Sequence, residues 1–182
     1  MAKKVLEIGC GVKKYLPKEG EEVIYLDKLP LPGVDIVHDL NVLPYPFKDD
    51  TFDKIVARHV LEHLDDVVAV MKELWRICKD GAEIYIEVPH FSSASAFVDP
   101  THRHFFSFYS FDYFDESTQK GSQYKYFAGF TIISKEITCS FLTKLVLPII
   151  KWKPGFYERR LSGIFPADYI KVTLRVKKKK LK

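Results

Sequence analysis

Glycine and aspartate residues stand at the ends of the first apolar segments of the chain. Gly9 and Gly11 directly follow the segment KVLEI, and Asp27 closes the segment EVIYL. Glycine lets the backbone turn tightly and approach a ligand closely. A carboxylate at the end of a second strand can accept hydrogen bonds from both hydroxyls of a ribose. Asp39 follows a third apolar segment, where the base of a nucleoside would lie, so the pattern indicates a site for a nucleoside-containing molecule.

A second group of polar residues, His59, Glu62 and His63, has the H-x-x-E-H spacing of one class of zinc hydrolases. Two histidines four residues apart on a helix can hold zinc, with the glutamate as base. That motif requires a continuous helix, whereas His59 directly follows a predicted strand and no third ligand is marked. We therefore predict no metal site here, and we expect His63 to make a structural hydrogen bond from a tight turn.

The elements that would position these residues alternate along the first half of the chain, which predicts a parallel sheet with helices on its faces. The clearest helix covers residues 66–79, with apolar residues every three or four positions, Asp65 or Asp66 as N-cap and Gly81 after its end. Residues 12–16 can form only a short helix. The predicted strands cover residues 3–8, 22–26, 34–37, 52–57, 82–88, 130–138 and 169–176.

Four motifs in this order resemble those of class I S-adenosylmethionine-dependent methyltransferases, in particular the small-molecule branch related to the ubiquinone-pathway enzymes. They are LEIGCG, YLDK, VHDLNVLPYPFKDDTFDKIVARHVLEHL and KDGAEIYIEVPH, within roughly residues 3–90. The resemblance implies an α/β fold: a Rossmann-like three-layer sandwich with a mostly parallel seven-stranded sheet and an antiparallel last strand. We expect a single domain over residues 1–182, with substrate-side insertions at 91–126 and 141–167 and a basic tail at 177–182.

The resemblance also implies the cofactor S-adenosylmethionine, with S-adenosylhomocysteine as product, and the positions that contact it. Lys13 stands where the family usually has a third glycine, and only 15 residues separate Gly11 from Asp27. A dinucleotide phosphate would need a full helix N-terminus there, so the short link argues against a dinucleotide. The expected cofactor contacts are Glu7, Gly9, Cys10 and Gly11 at the methionine part, Asp27 and Lys28 at the ribose, Asp39 and Leu40 at the adenine, and Arg58, His59 and Val60 under the sulfonium.

Residues 89–104, PHFSSASAFVDPTHRH, should lie beside the donor methyl group because they follow the fifth strand. His102 or His104 can act as a general base, since histidine titrates near neutral pH, and Asp99 can orient either one. The alternative is a capped turn in which Asp99 bonds nearby backbone. The residues considered for acceptor contacts are His90, Ser92, Ser93, Asp99, His102, Arg103 and His104.

Two later segments bear on partners. Aromatic residues at positions 105–114 are expected to form the insertion's own core or a dimer face, so a homo-oligomer is compatible with the sequence. Basic and aromatic residues alternate over 141–167, a pattern that suits a flap over an anionic or amphipathic acceptor, a protein contact or a membrane surface.

Composition limits the class of protein. With 182 residues, 47% hydrophobic and 29% charged, the chain suits a soluble globular protein. Its three cysteines are too few and scattered for a disulfide framework, so a reducing cytoplasm is expected. The start carries Glu7 where a secretion signal needs an apolar run, and no apolar run reaches the about 20 residues that cross a bilayer. The chain has three amide side chains, Asn41, Gln119 and Gln123, which hints at a thermophilic source.

Positive charge is concentrated at the end of the chain. Five lysines stand within residues 177–182, which leaves 23 basic against 24 acidic residues elsewhere. Such a tail can contact nucleic acid or anionic lipid, although it is more often a solvated terminus. We predict methyl transfer to a small-molecule acceptor by in-line displacement, with an RNA acceptor bound by the flap and tail as the alternative. The other hypotheses are a non-catalytic adenosyl-binding protein and a zinc hydrolase.

Overall fold

Seven strands form one sheet in a computed structural model that describes residues 2–124, 126–140 and 143–178. The order across the sheet is β3-β2-β1-β4-β5-β7-β6. β7 is antiparallel to both of its neighbours, and the other adjacent pairs are parallel. The α/β class and the mostly parallel sheet with an antiparallel last strand are therefore confirmed. The strands are β1 (Lys3–Ile8), β2 (Glu21–Asp27), β3 (Ile36–Val37), β4 (Phe52–Arg58), β5 (Cys78–Pro89), β6 (Phe130–Ile137) and β7 (Tyr169–Val176).

The longest described helix, α1 (Val67–Ile77), crosses between β4 and β5. The Asp66 side chain caps it by accepting a hydrogen bond from the Ala69 N–H at 2.9 Å. α1 ends two residues earlier than predicted because Cys78 is already extended and begins β5. Gly81, with φ +78°, therefore lies inside β5 rather than at a helix end. The shorter helices are α2 (Ser95–Val98), α3 (Gln119–Tyr124), α4 (Leu147–Trp152) and α5 (Pro154–Arg160).

One face of the sheet carries the main hydrophobic core. Side chains alternate along each strand, so in β5 the residues Ala82, Ile84 and Ile86 are buried on the core face, while Glu83 and Glu87 are directed to the opposite face. The apolar side of α1 closes over this core. Because parallel strands end at the same edge of the sheet, this arrangement brings the residues that follow β1, β2 and β4 close together.

The link between β1 and β2 forms no helix over residues 9–20, which corrects the short helix predicted at 12–16. Pro17 disfavours helical backbone at the residue before it. The Tyr15 N–H donates instead to the Glu7 carboxylate at 2.6 Å, and the Tyr15 hydroxyl donates to Glu21 at 2.8 Å. Residues 9–20 therefore form a loop, whereas the resemblance to the methyltransferase family implied a helix after the first strand.

The aromatic residues at positions 105–114 belong partly to the main core, which corrects the expectation that they form a core of the insertion's own. Phe106, Phe111 and Phe114 pack within the main core, whereas Phe105 is half exposed. The segment after β6 forms a second, smaller cluster around Ile150 and Tyr157. No helix in the described ranges is long and apolar enough to cross a membrane.

Candidate functional site

The carboxyl ends of β1, β2 and β4 border a cavity of about 340 Å³, a size suited to a small ligand. The loop after β5 forms its opposite wall. The cavity brings together seven of the positions expected to contact a cofactor. Its lining residues are Gly9, Asp27, Lys28, Asp39, Leu40, Asn41, His59, Val60, His63, Leu64, Asp99 and Thr101.

Gly9 allows the loop after β1 to pass directly against the loop after β4. Its φ is +57°, which favours glycine, and a Cβ added there would lie 2.4 Å from Val60 Cγ2. The close approach places the backbone of Gly9 and the side chain of Val60 in the same wall of the cavity. No other residue type fits this position without displacing Val60.

Asp27 ends β2 with its carboxylate nearly buried. Oδ2 accepts a hydrogen bond from the Gly11 N–H at 2.8 Å, and Oδ1 accepts one from the Leu29 N–H at 3.0 Å. An ionised carboxylate oxygen has two acceptor sites, so each oxygen keeps one. The carboxylate is thus fixed by backbone groups and retains the capacity to accept two further hydrogen bonds, as two vicinal hydroxyls would require.

Glu7 and Arg58 bind each other rather than lining the cavity. Arg58 Nη2 lies 2.6 Å from Glu7 Oε1, and the same nitrogen donates to the Lys13 carbonyl at 2.6 Å. Together with the bond from the Tyr15 N–H, this pair holds the loop after β1 against β4. Cys10 and Gly11 also lie outside the lining, and burial raises the pKa of the Cys10 thiol.

His59 marks an abrupt change of backbone direction after β4. Its φ of +55° is rare for a residue with a side chain, and the helical turn that follows covers only Leu61–His63. The segment from His59 to His63 is therefore not a continuous helix. The sequence predicted this break, because His59 directly follows a strand. The neighbouring Glu62 carboxylate, 3.5 Å from Nδ1, raises the pKa of His59 against the opposing effect of burial.

Asp99 forms the capped turn that was the alternative to a catalytic role. Its Oδ1 accepts hydrogen bonds from the N–H and the hydroxyl of Thr101 at 2.9 and 2.7 Å, and these bonds lower the pKa of the Asp99 carboxyl. The carboxylate is thus hydrogen-bonded to Thr101, not to His102 or His104. This corrects the expectation that Asp99 orients either histidine directly.

The two candidate bases are held by backbone carbonyls. His102 Nδ1 lies 2.9 Å from the Ala96 carbonyl, and His104 Nε2 lies 2.8 Å from the Leu64 carbonyl. A carbonyl only accepts hydrogen bonds, so each histidine donates through that nitrogen and its other nitrogen keeps a lone pair. Both are therefore oriented, and each retains one nitrogen that can accept a proton.

A family model described as a methyltransferase domain matches residues 2–134, well over half of the chain. The chain belongs to the methyltransferase-domain family. The match confirms the resemblance to class I S-adenosylmethionine-dependent methyltransferases of the quinone-related branch.

Two curated relatives share part of this methyltransferase domain. A demethylmenaquinone methyltransferase of Lysinibacillus sphaericus is 30% identical over 76 residues, which are 42% of this chain and 30% of the relative. A phosphatidylethanolamine N-methyltransferase of Cereibacter sphaeroides is 25% identical over 111 residues, which are 49% of this chain and 51% of the relative. The chain thus matches about a third to a half of the length of these relatives.

Solved methyltransferase structures show the same fold. A SAM-dependent methyltransferase from Archaeoglobus fulgidus superposes with a TM-score of 0.62 at 21% identity, over 96% of this chain and 86% of the other. The complex of the Haloferax volcanii Trm112 methyltransferase activator with a methyltransferase gives 0.56 at 18% identity, over 96% and 82%. The fold of the methyltransferase domain is therefore shared along nearly the whole chain.

S-adenosylmethionine is the cofactor of this family, and the residues of the cavity fit it. The free acceptor sites of Asp27 suit the ribose, and the buried Leu40 offers an apolar surface beside Asp39 for the adenine. The link after β1 provides no helix N-terminus for a phosphate, and S-adenosylmethionine has none. The groups that line the cavity therefore match S-adenosylmethionine better than a dinucleotide.

Sequence reasoning missed one contact in this methyltransferase domain, between the loops after β4 and β5. The Arg103 and His104 N–H groups donate to the Glu62 carbonyl at 2.7 and 3.2 Å. The rings of His63 and His102 stack edge to face at 4.6 Å between centroids. About forty residues separate the two loops in the chain, so no local pattern in the sequence marks this pairing.

Proposed function

We propose that this chain transfers a methyl group from S-adenosylmethionine to a small-molecule acceptor by in-line displacement. The observation that supports the proposal is the cavity at the carboxyl ends of β1, β2 and β4, which is lined by Gly9, Asp27 and Leu40, three residues that the family resemblance assigns to the cofactor. Ligands of open α/β sheets bind at this edge.

The chain's own residues align the reactants and exclude water. S-adenosylmethionine, when bound, supplies a methyl group on a sulfonium that leaves without further activation. Asp27 binds and orients the ribose, and the contact between Gly9 and Val60 fixes the part of the cavity wall that faces the donor. The loop that carries Asp99 and Thr101 closes the cavity from the other side, which favours the oriented approach of an acceptor.

His102 and His104 are the proposed proton acceptors where the acceptor atom must lose a proton. Each has one nitrogen fixed by a carbonyl and one nitrogen with a free lone pair. Replacing both by alanine should lower turnover by about 100-fold or more with a hydroxyl acceptor. Unchanged turnover would remove this role from both residues.

The acceptor is proposed to be amphipathic. The names of the relatives designate demethylmenaquinone and phosphatidylethanolamine as their substrates. In this chain, Trp152 and Phe156 are exposed beside Lys153 and Arg159, around a groove of about 470 Å³. Apolar and cationic groups together suit a molecule with an apolar body and an anionic or polar head.

The RNA alternative depended on the basic flap and the basic tail, and one of the five tail lysines has an intramolecular partner for its charge. Lys178 pairs with Asp50, and its backbone N–H donates to Asp80 at 2.9 Å. The Lys177 carbonyl accepts a hydrogen bond from the Trp75 indole at 3.1 Å. Residues 179–182 lie outside the described residues. We therefore favour the small-molecule acceptor.

Thermal unfolding with and without S-adenosylhomocysteine tests the donor site. Ligand at 100 times its dissociation constant should stabilise the protein by roughly 2.7 kcal/mol, a shift of a few degrees. Asp27→Asn should weaken binding at least about tenfold, because hydrogen bonds to a charged group contribute about 1.5–3 kcal/mol. Asp49→Asn, which changes an exposed aspartate outside the cavity, should bind as the wild type does. No shift for the wild-type protein, or equal binding by Asp27→Asn, would contradict the proposed function.

A further inference from the structure

Glu62 carries a buried carboxylate that the methyl-transfer site does not explain. The residue is 1% exposed, and neither of its carboxylate oxygens has a hydrogen-bond partner among the described residues. A buried ionised carboxylate is costly unless it is paired or coordinates a metal ion. The backbone of the same residue is fully used, since its carbonyl accepts from Arg103 and His104. The backbone bonds thus fix the position of Glu62, while its carboxylate oxygens accept no hydrogen bond from the described residues.

Two histidines stand beside this carboxylate. One potential ligand atom from each of Glu62, His63 and His102 lies within 4.8 Å of the other two. Two ligands of a tetrahedral ion at about 2.1 Å are separated by roughly 3.5 Å, so a small side-chain movement closes the group around one ion. Two imidazoles and one carboxylate are a known ligand set for zinc and for other first-row divalent metals.

Hydrogen bonds leave both histidines in the tautomer that a metal requires. The Thr101 hydroxyl donates its single proton to Asp99, so its oxygen accepts from His63 Nδ1 at 2.8 Å. His102 Nδ1 likewise donates to the Ala96 carbonyl. Each Nε2 therefore keeps its lone pair. Metal-ligating histidines ordinarily donate their other N–H to a carbonyl or to another oxygen in this way.

We infer that Glu62, His63 and His102 bind a divalent first-row cation such as Zn²⁺ in the wall of the cofactor cavity, where it would hold an oxygen of the methyl acceptor. His63 and Thr101 line that cavity, so the ion would face the space beside the donor. Three protein ligands leave a fourth position for a substrate oxygen. This inference deepens the proposed function and rests on it for the identity of the donor. With His102 as a ligand of the ion, His104 is the histidine left to accept a proton.

The site selects acceptors whose nucleophile is a hydroxyl oxygen. A bound cation lowers the pKa of a coordinated hydroxyl, whose proton passes to His104 or to water. The oxygen then forms a bond to the methyl carbon as the carbon–sulfur bond breaks, and the sulfur keeps the electron pair of that bond. The products are the methyl ether and S-adenosylhomocysteine, with no change of oxidation state at the metal.

The competing explanation is that His59 alone balances the charge of Glu62. His59 Nδ1 lies 3.5 Å from Glu62 Oε1, at the long limit for a hydrogen bond, and the His59 side chain is 44% exposed. In that case the carboxylate needs no ion. The two explanations differ in whether the protein takes up one equivalent of metal.

Calorimetric titration of the chelator-treated full chain with ZnCl₂ tests the inference, and CoCl₂ absorption provides a second readout of the ligand set. We expect one equivalent to bind, with affinity reduced at least about tenfold in Glu62→Gln and in His102→Ala. The matched controls are Glu73→Gln, another buried glutamate, and His38→Ala, a histidine outside the cavity. Both should bind the metal as the wild type does.

Parallel titration with S-adenosylhomocysteine separates this inference from the proposed function. Glu62→Gln has nearly the same shape as the wild type and should bind S-adenosylhomocysteine unchanged, which also shows that it is folded. Absence of stoichiometric metal binding, or equal binding by Glu62→Gln, would overturn the metal site while leaving the donor site intact. Loss of S-adenosylhomocysteine binding by the wild type would instead contradict the proposed function.

Discussion

At the scale of single residues, two geometric features restrict Gly9 at once. Its positive φ and the 2.4 Å approach of an added Cβ to Val60 act together. Gly20 has a similar φ of +76° but open space around it. The two glycines therefore separate the cost of backbone conformation from the cost of a clash inside the cavity.

We predict that Gly9→Ala abolishes binding of S-adenosylhomocysteine and destabilises the protein more than Gly20→Ala does. The left-handed conformation alone costs about 1–2 kcal/mol for alanine, and this cost applies to both variants. Gly9→Ala also forces Val60 out of the cavity wall. Urea unfolding and calorimetry measure the two effects. Equal loss of stability in both variants, with binding retained, would show that Val60 moves aside without consequence.

At the scale of elements, α1 anchors the segment that leads into β4 through one buried carboxylate. Glu73 Oε1 accepts from the Tyr45 N–H and from Arg76 Nη2, both at 2.6 Å. Arg76 also donates to the Phe47 carbonyl and to Asp49. Burial raises the pKa of Glu73, but the bonds from Arg76 and Tyr45 outweigh it, so the net pKa is lowered.

This lowered pKa predicts how stability depends on pH. A carboxyl with a depressed folded pKa contributes stability that is present above its unfolded value, about 4.5, and is lost as pH falls through the folded value. Glu73→Gln should cost about 2 kcal/mol at neutral pH and should flatten the decline of stability below pH 4.5. Urea unfolding at several pH values measures this. Glu83→Gln, at an exposed position, is the control; an unchanged slope in Glu73→Gln would contradict the assignment.

At the scale of the whole molecule, the Glu158 carboxylate links the second cluster to residues of two other segments. Glu158 of α5 accepts a hydrogen bond from the Phe108 N–H at 2.6 Å and lies 3.2 Å from His90 Nε2. His90, the residue that follows β5, is fully buried. One side chain thus joins α5, the aromatic segment at 105–114 and the segment that follows β5.

We predict that Glu158→Ala loosens the segment 143–167 without unfolding the sheet. Loss of these bonds leaves the Phe108 N–H and His90 Nε2 without their partner, at a cost of about 1–3 kcal/mol, which corresponds to local opening increased by about fivefold or more. Trypsin cleavage at Lys151, Arg159 and Arg160 measures it. Glu22→Ala, at an exposed position of β2, should leave the cleavage rate unchanged, and equal rates for both variants would contradict this role of Glu158.

The sequence by itself determined the order of the elements, their alternation around a parallel sheet and most of the donor side of the cavity. The antiparallel last strand was implied by the resemblance to the methyltransferase family. β1 and β7 have the predicted bounds, and Gly9, Asp27 and Leu40 converge where strand order places them. These features follow from local signals, because side-chain alternation, glycine turns and strand-ending acids are read over a few residues.

Only the tertiary structure decided which polar residues share a site on the acceptor side. Asp99 pairs with Thr101 instead of a histidine, Arg58 turns to Glu7, and His102 comes to stand beside Glu62 and His63. Each of these outcomes depends on how two loops from different strands meet. The contact between these loops depends on the order of the strands and on packing between residues that are far apart in the chain. No short pattern in the sequence encodes such contacts.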